Sequence, residues 1–132
     1  MIGVVVVTHG ELAKALIAAA EHVLGPQPQM RAVAIGPDDD IAARRAEILA
    51  AAREVDTGAG VVLLTDLFGG TPSNQALSVL SELRCDVIAG VNLPMLIKLG
   101  ELRGSVSLAE AAAAAADAGR RYIRVASEEL TG

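Results

Sequence analysis

Apolar positions along this chain follow two rhythms. Residues 2–7 form a β-branched run broken only by Gly3. Polar alternation is missing there, which predicts a strand buried on both faces, as in a parallel sheet. Further short strands are predicted at 31–35, 61–65 and 85–89. Between them the apolar residues take helical spacing. A helix over about 9–24 would bury Leu12, Leu16, Ala19, Ala20 and Val23. A second, running to about Val55, would bury Ile41, Ile48, Ala52 and Val55. Others are predicted over 72–83, 95–102 and an alanine-rich stretch ending at Gly119. Residues 121–125 alternate polar and apolar, as a strand with one wet face does.

The stops and starts agree with these elements. Thr8 with Glu11, and Ser107 with Glu110, have capping-box spacing. Gly25-Pro26 ends the first helix, and Asp38, Asp39 and Asp40 load the positive end of the second. Strands alternating with helices predict an α/β fold. The expected form is an open, doubly wound, mostly parallel sheet of order 2-1-3-4, with residues 121–125 as an antiparallel edge strand. In that order strands one and three are neighbours whose connections leave in opposite directions. Open α/β sheets bind ligands at such a switch point, beyond the carboxyl ends of the strands.

Composition narrows the class. The 132 residues suffice for one domain, spanning 1–132, with a real core. Apolar residues make up 52%, yet Phe68 and Tyr122 are the only aromatics, so the core is Val, Leu, Ile and Ala. A net charge of −5 without a basic block argues against nucleic acid. The single cysteine, Cys85, allows no internal disulfide and fits a reducing cytoplasm. A strand starting at Ile2 leaves no room for a signal peptide, and no apolar stretch reaches the length of a membrane span. A soluble, cytoplasmic protein is expected.

The chemistry gathers at two strand ends. Residues 61–65 run into Asp66-Leu67-Phe68-Gly69-Gly70-Thr71-Pro72, a strand, a glycine turn and a helix start. Glycines let backbone approach a ligand closely, and free amides at a helix start attract phosphate. Residues 4–7 run into Thr8-His9-Gly10 in the same way. The topology brings His9 and Asp66 together. A neutral imidazole is a nucleophile, and a carboxylate on its protonated nitrogen fixes the tautomer and stabilises the cation formed on attack. Gly69, Gly70 and Thr71 would donate amides to a transferred phosphoryl group, with a phosphohistidine as the product.

Other chemistries fit less well. His9, His22 and Cys85 are too scattered for a zinc site, and none is expected. His22 reads as a solvated helix residue and Cys85 as a small core residue. Neither Lys14 nor Lys98 follows a glycine loop, which excludes a P-loop. Gly58-Ala59-Gly60 precedes its strand and is a turn. Asp38 to Asp40 are a helix-start cluster before they are a cation site. No cofactor is called for.

Three motifs in order resemble the mannose-family enzyme IIA (EIIA) of the bacterial phosphoenolpyruvate-dependent phosphotransferase system (PTS). They are Val5-Val6-Val7-Thr8-His9-Gly10, the stretch Leu64-Thr65-Asp66-Leu67-Phe68-Gly69-Gly70-Thr71-Pro72-Ser73-Asn74, and Gly90-Val91-Asn92-Leu93-Pro94-Met95-Leu96. The resemblance implies that His9 accepts phosphate from the phosphocarrier HPr and passes it to an enzyme IIB (EIIB) partner. It implies that Asp66 orients His9 and that Gly69-Gly70-Thr71 cradles the phosphoryl group. It also implies a homodimer in which the C-terminal strand crosses to the other subunit. Sugar choice in such systems belongs to the membrane permease, so contact with the membrane would be indirect. Ending at Gly132 without a linker and IIB domain, the chain reads as a stand-alone IIA. Three functions stay open at this level. One is a carrier in sugar uptake. Another is a regulator whose His9 phosphorylation state controls binding to an enzyme or regulatory target. The third is an anion-binding module that forms no phosphoprotein.

Overall fold

The computed structural model describes residues 1–67 and 71–131; Phe68, Gly69, Gly70 and Gly132 lie outside the described residues. Four strands, β1 (Gly3–His9), β2 (Met30–Ile35), β3 (Val61–Thr65) and β4 (Cys85–Ala89), form a sheet of order β2-β1-β3-β4. Every pairing in it is parallel. The order expected from the sequence is the one observed.

The continuous apolar run of β1 has a direct cause. Val4 and Val6 face one core with Val62 and Leu64, under α1 (Leu12–Leu24), α4 (Leu93–Leu102) and α5 (Leu108–Arg121). Val5 and Val7 face a second core with Val33, Ile35 and Leu63, under α2 (Ile41–Val55) and α3 (Thr71–Leu77). Both faces of a central parallel strand are buried, so alternation would have placed a polar group in a core. Gly3 interrupts the run because a Cβ there would lie 2.5 Å from the Val55 carbonyl oxygen.

Helix ends follow side-chain caps. Asp40 accepts from the amides of Ala42 and Ala43, and Ser107 and Glu110 form the expected reciprocal box. Asn92 caps α4 through the amide of Met95 with Pro94 just inside, so that helix starts two residues before the predicted Met95.

Several expectations need correction. Thr8 does cap α1, but its Oγ1 accepts from Ala13 at 2.7 Å, and Glu11 makes no side-chain cap. The helix therefore begins at Leu12, and His9 ends the strand. Its buried positions are Ala13 and Ala20, flanked by the partly buried Leu16 and Ile17, while Leu12 and Val23 are exposed. So many alanines leave the direction of a stripe weakly specified, and packing against β2 and α4 decides it. Ile41 is 66% exposed rather than buried. Helix α3 ends at Leu77, six residues before the predicted Leu83. Ser78 bonds back to the carbonyl of Gln75, and its own carbonyl accepts from Arg45. Finally, residues 121–125 are not a strand. Arg121 closes α5, Tyr122 is its C-cap, and α6 (Ala126–Thr131) follows. A strand needs a neighbour for its backbone, and among the described residues of this chain the segment pairs with none. Among the described residues no helix is long and apolar enough to cross a membrane.

Candidate active site

The site lies where β1 and β3 part. Val7 pairs with Thr65 across the two strands. His9 is the last residue of β1 and Asp66 the first after β3. From β1 the chain passes to α1 on one face, and from β3 to α3 on the other, which opens the crevice of a topological switch point. Gly10 turns with φ +54°, a conformation that suits glycine, and its amide bonds the Ile35 carbonyl at 3.0 Å. That bond ties the His9 turn to the end of β2.

One carboxylate oxygen holds His9 twice. Asp66 Oδ2 accepts from the His9 backbone amide at 3.1 Å and lies 2.9 Å from the ring Nδ1. An ionised carboxylate only accepts, so Nδ1 carries the proton and Nε2 keeps the lone pair. The His9 side chain is 53% exposed and that of Asp66 only 14%. The orienting group is thus sheltered while the nucleophile stays open. Asp66 Oδ1 and Thr65 Oγ1 are buried and have no hydrogen-bond partner among the described residues.

His9 lines a cleft of about 460 Å³ that opens toward β2 and α2. Thr71 and Gln75 of α3 line it too. Thr71 is exposed and opens the helix, one position inside the predicted cap. Gly69 and Gly70, the other predicted amide donors, lie outside the described residues. The far wall holds three residues that the sequence did not place at this site, Asp39, Ile41 and Arg44. The sequence pattern makes Asp39 one of three charges on the helix end. Its Oδ2 instead accepts from the Gly36 amide at 2.6 Å and from Arg44 Nε at 2.8 Å. The Gly36 amide and then Arg44 hold the Asp39 carboxyl below the usual carboxylate range. Glu47 and Asp39 raise the pKa of Arg44. No motif announces Arg44. Only the pairing of β1 with β2 brings its helix to His9.

The other candidates stay apart. His22 is exposed on α1. Cys85 is half-buried, and burial, helped by Asp86, pushes its thiol pKa up, which keeps it a poor nucleophile. Among the described residues no group of three or more His, Cys, Asp or Glu could hold a metal ion.

Comparison with known proteins agrees with this arrangement. Residues 3–116 match the family EIIA-man, described as the PTS system fructose IIA component. The chain is 34% identical over 125 residues to the PTS system mannose-specific EIIAB component of Escherichia coli (strain K12), covering 93% of this chain and 39% of that protein. It therefore spans about two fifths of that relative. It is 33% identical over 109 residues to the PTS system fructose-specific EIIA component of Bacillus subtilis (strain 168), covering 82% of this chain and 75% of that one. A crystal structure of phosphotransferase system component EIIA from Streptococcus agalactiae shares the fold, with a TM-score of 0.87, 23% identity and coverage of 97% and 99% of the two chains. The strand order, the two strand-end motifs and these relatives agree, and the chain belongs to the EIIA-man family of PTS IIA components.

Proposed function

We propose that the chain is a phosphocarrier whose acceptor atom is Nε2 of His9, loaded by phospho-HPr and discharged to an EIIB protein. The observation that carries the reading is the bond between His9 Nδ1 and Asp66 Oδ2. With Nδ1 protonated, Nε2 attacks the donor's phosphorus. The new P–N bond forms as the bond to the donor breaks, and its electron pair returns to the donor. The ring becomes cationic, and Asp66 stabilises it through the Nδ1 proton. Transfer to EIIB runs the same steps with His9 as the leaving group. Such transfer depends on positioning and electrostatics rather than further covalent chemistry. Thr71, with Gly69 and Gly70, would supply amides to the phosphoryl oxygens.

The carrier is a single domain over 1–132 and works in the cytoplasm, where its donor resides. It works as a homodimer. Tyr122, Ile123 and Val125 expose apolar surface beside α5, and β4 borders the sheet with no further strand on its outer side among the described residues. An open strand edge beside uncovered apolar side chains is a pairing template. Contact with the membrane is indirect, through a permease complex.

The test is phosphoryl transfer from phosphoenolpyruvate through enzyme I and HPr. Wild type should take up acid-labile, base-stable label and His9→Ala none. Normal labelling of His9→Ala would remove His9 as acceptor. An unlabelled wild type, with HPr phosphorylated, would refute the carrier reading and leave an anion-binding module.

A further inference from the structure

We propose that Arg44 binds the phosphoryl group carried by His9, as the cation of the cleft. The inference rests on the carrier reading above and adds a phosphoryl-contacting residue to it. The need for a cation is electrostatic. A phosphoryl group brings close to two negative charges, and the cleft already holds the Asp39 carboxylate, with Asp66 behind His9. Among the described residues lining the cleft, Arg44 is the one with a permanent positive charge.

Its position follows from short links. His9 pairs with Ile35 across β1 and β2, strands spaced about 4.8 Å apart. The next residue, Gly36, donates to Asp39 Oδ2 at 2.6 Å, and the same oxygen holds Arg44 Nε at 2.8 Å. The guanidinium is thereby anchored at one nitrogen, two hydrogen bonds through the Asp39 carboxylate from the strand end beside His9. Its Nη1 is bonded to Glu47, one turn along α2. Both side chains of that pair are over a third exposed, and exposed i,i+3 pairs hold weakly. A phosphate accepts a guanidinium fork through two parallel bonds, a stronger arrangement. Arg44 would keep Nε on Asp39, release Glu47 and turn its terminal nitrogens to the phosphoryl oxygens. No covalent bond to Arg44 forms, and the transfer itself is unchanged.

The decisive measurement is the ³¹P NMR titration of phosphorylated protein. A cation on the phosphoryl oxygens favours the dianion and lowers the midpoint. Arg44→Gln should raise it by about one pH unit. Glu47→Gln, which leaves Arg44 in place and removes its competitor, should lower it. Labelling from phospho-HPr should slow in Arg44→Gln by roughly 100-fold, the lower end of the range for a lost charge-stabilising donor, and Arg44→Lys should recover part of that. An unchanged midpoint in Arg44→Gln, with wild type labelled, overturns the contact whatever the rate does. A slower rate would then be an effect on the Gly36 to Asp40 turn. Failure of wild type itself to label overturns the carrier reading and this inference together, so the two failures are distinct.

Discussion

The two ends of the sheet each hold a conspicuous arginine, and the molecule uses them in opposite ways. At the amino end, Arg103 is buried. It donates to the carbonyls of Ile2, Pro28 and Gln29 at 3.2, 2.6 and 3.3 Å, and to the Gln27 side chain at 3.1 Å. Its own carbonyl accepts from the Ile2 amide at 3.1 Å. Burial lowers its pKa. At the carboxyl end, Arg44 is half-exposed, bonded to carboxylates, and its pKa is raised. A guanidinium whose two terminal nitrogens are held by fixed carbonyls in a dry site, with Nε alone left without a partner among the described residues, is a staple. One held partly by an exposed carboxylate, here Glu47, can exchange that partner. The amino end closes the fold, and the carboxyl end stays open for chemistry.

This contrast can be broken or sharpened by substitution. The largest expected effect is at His9. His9→Ala should lose all labelling yet unfold at the wild-type temperature, because a half-exposed residue at a strand end contributes little to either core. A fall of many degrees in calorimetry would mean that the carboxyl end also carries stability. Asp66→Ala should slow labelling by roughly 10²–10⁴ without abolishing it, as loss of an orienting partner does. An unchanged rate would detach Asp66 from the mechanism.

The amino end should respond the other way. Arg103→Leu leaves three carbonyls short of a donor and should cost about 3 kcal/mol in urea unfolding. Labelling of the remaining folded protein should match wild type. A loss below about 1 kcal/mol would show that water replaces the guanidinium there. The smallest effect is expected from removing residues 122–132. Labelling should persist while sedimentation shifts from dimer to monomer. A dimer that survives the truncation would place the interface elsewhere.

Legibility in the sequence varied with the number of constraints acting on a residue. Strands β3 and β4 were read to the residue, because apolar runs bounded by glycine, arginine or a carboxylate have few alternatives. The Ser107 to Glu110 box was equally plain, since its two hydrogen bonds are local. The meeting of His9 and Asp66 followed from strand order, which right-handed crossovers nearly dictate. Leu12, Val23 and Ile41 were misplaced because a helix full of alanine turns on its axis at little cost, so neighbours choose its buried face. The alternation over 121–125 was real as a pattern, but alternation alone supplies no partner strand. Within a single chain the helix-forming Ala126–Thr131 segment follows it instead.

By itself, then, the order of residues determined the α/β class, the four parallel strands, the Ser107–Glu110 capping box and the identity of the His–Asp pair. These are consequences of local periodicity, backbone hydrogen bonding and the handedness of crossovers. Tertiary structure alone decided that Nδ1 is the held nitrogen and Nε2 the free one. It also decided which face of each alanine-rich helix is buried, and that Arg44 stands at the cleft while Arg103 is locked beneath the sheet. The reason is physical. An arginine's role depends on whether its nearest acceptors are fixed carbonyls in a dry site or carboxylates at the surface. Those acceptors come from residues far away in the chain at Arg103, and from a turn placed by strand pairing at Arg44.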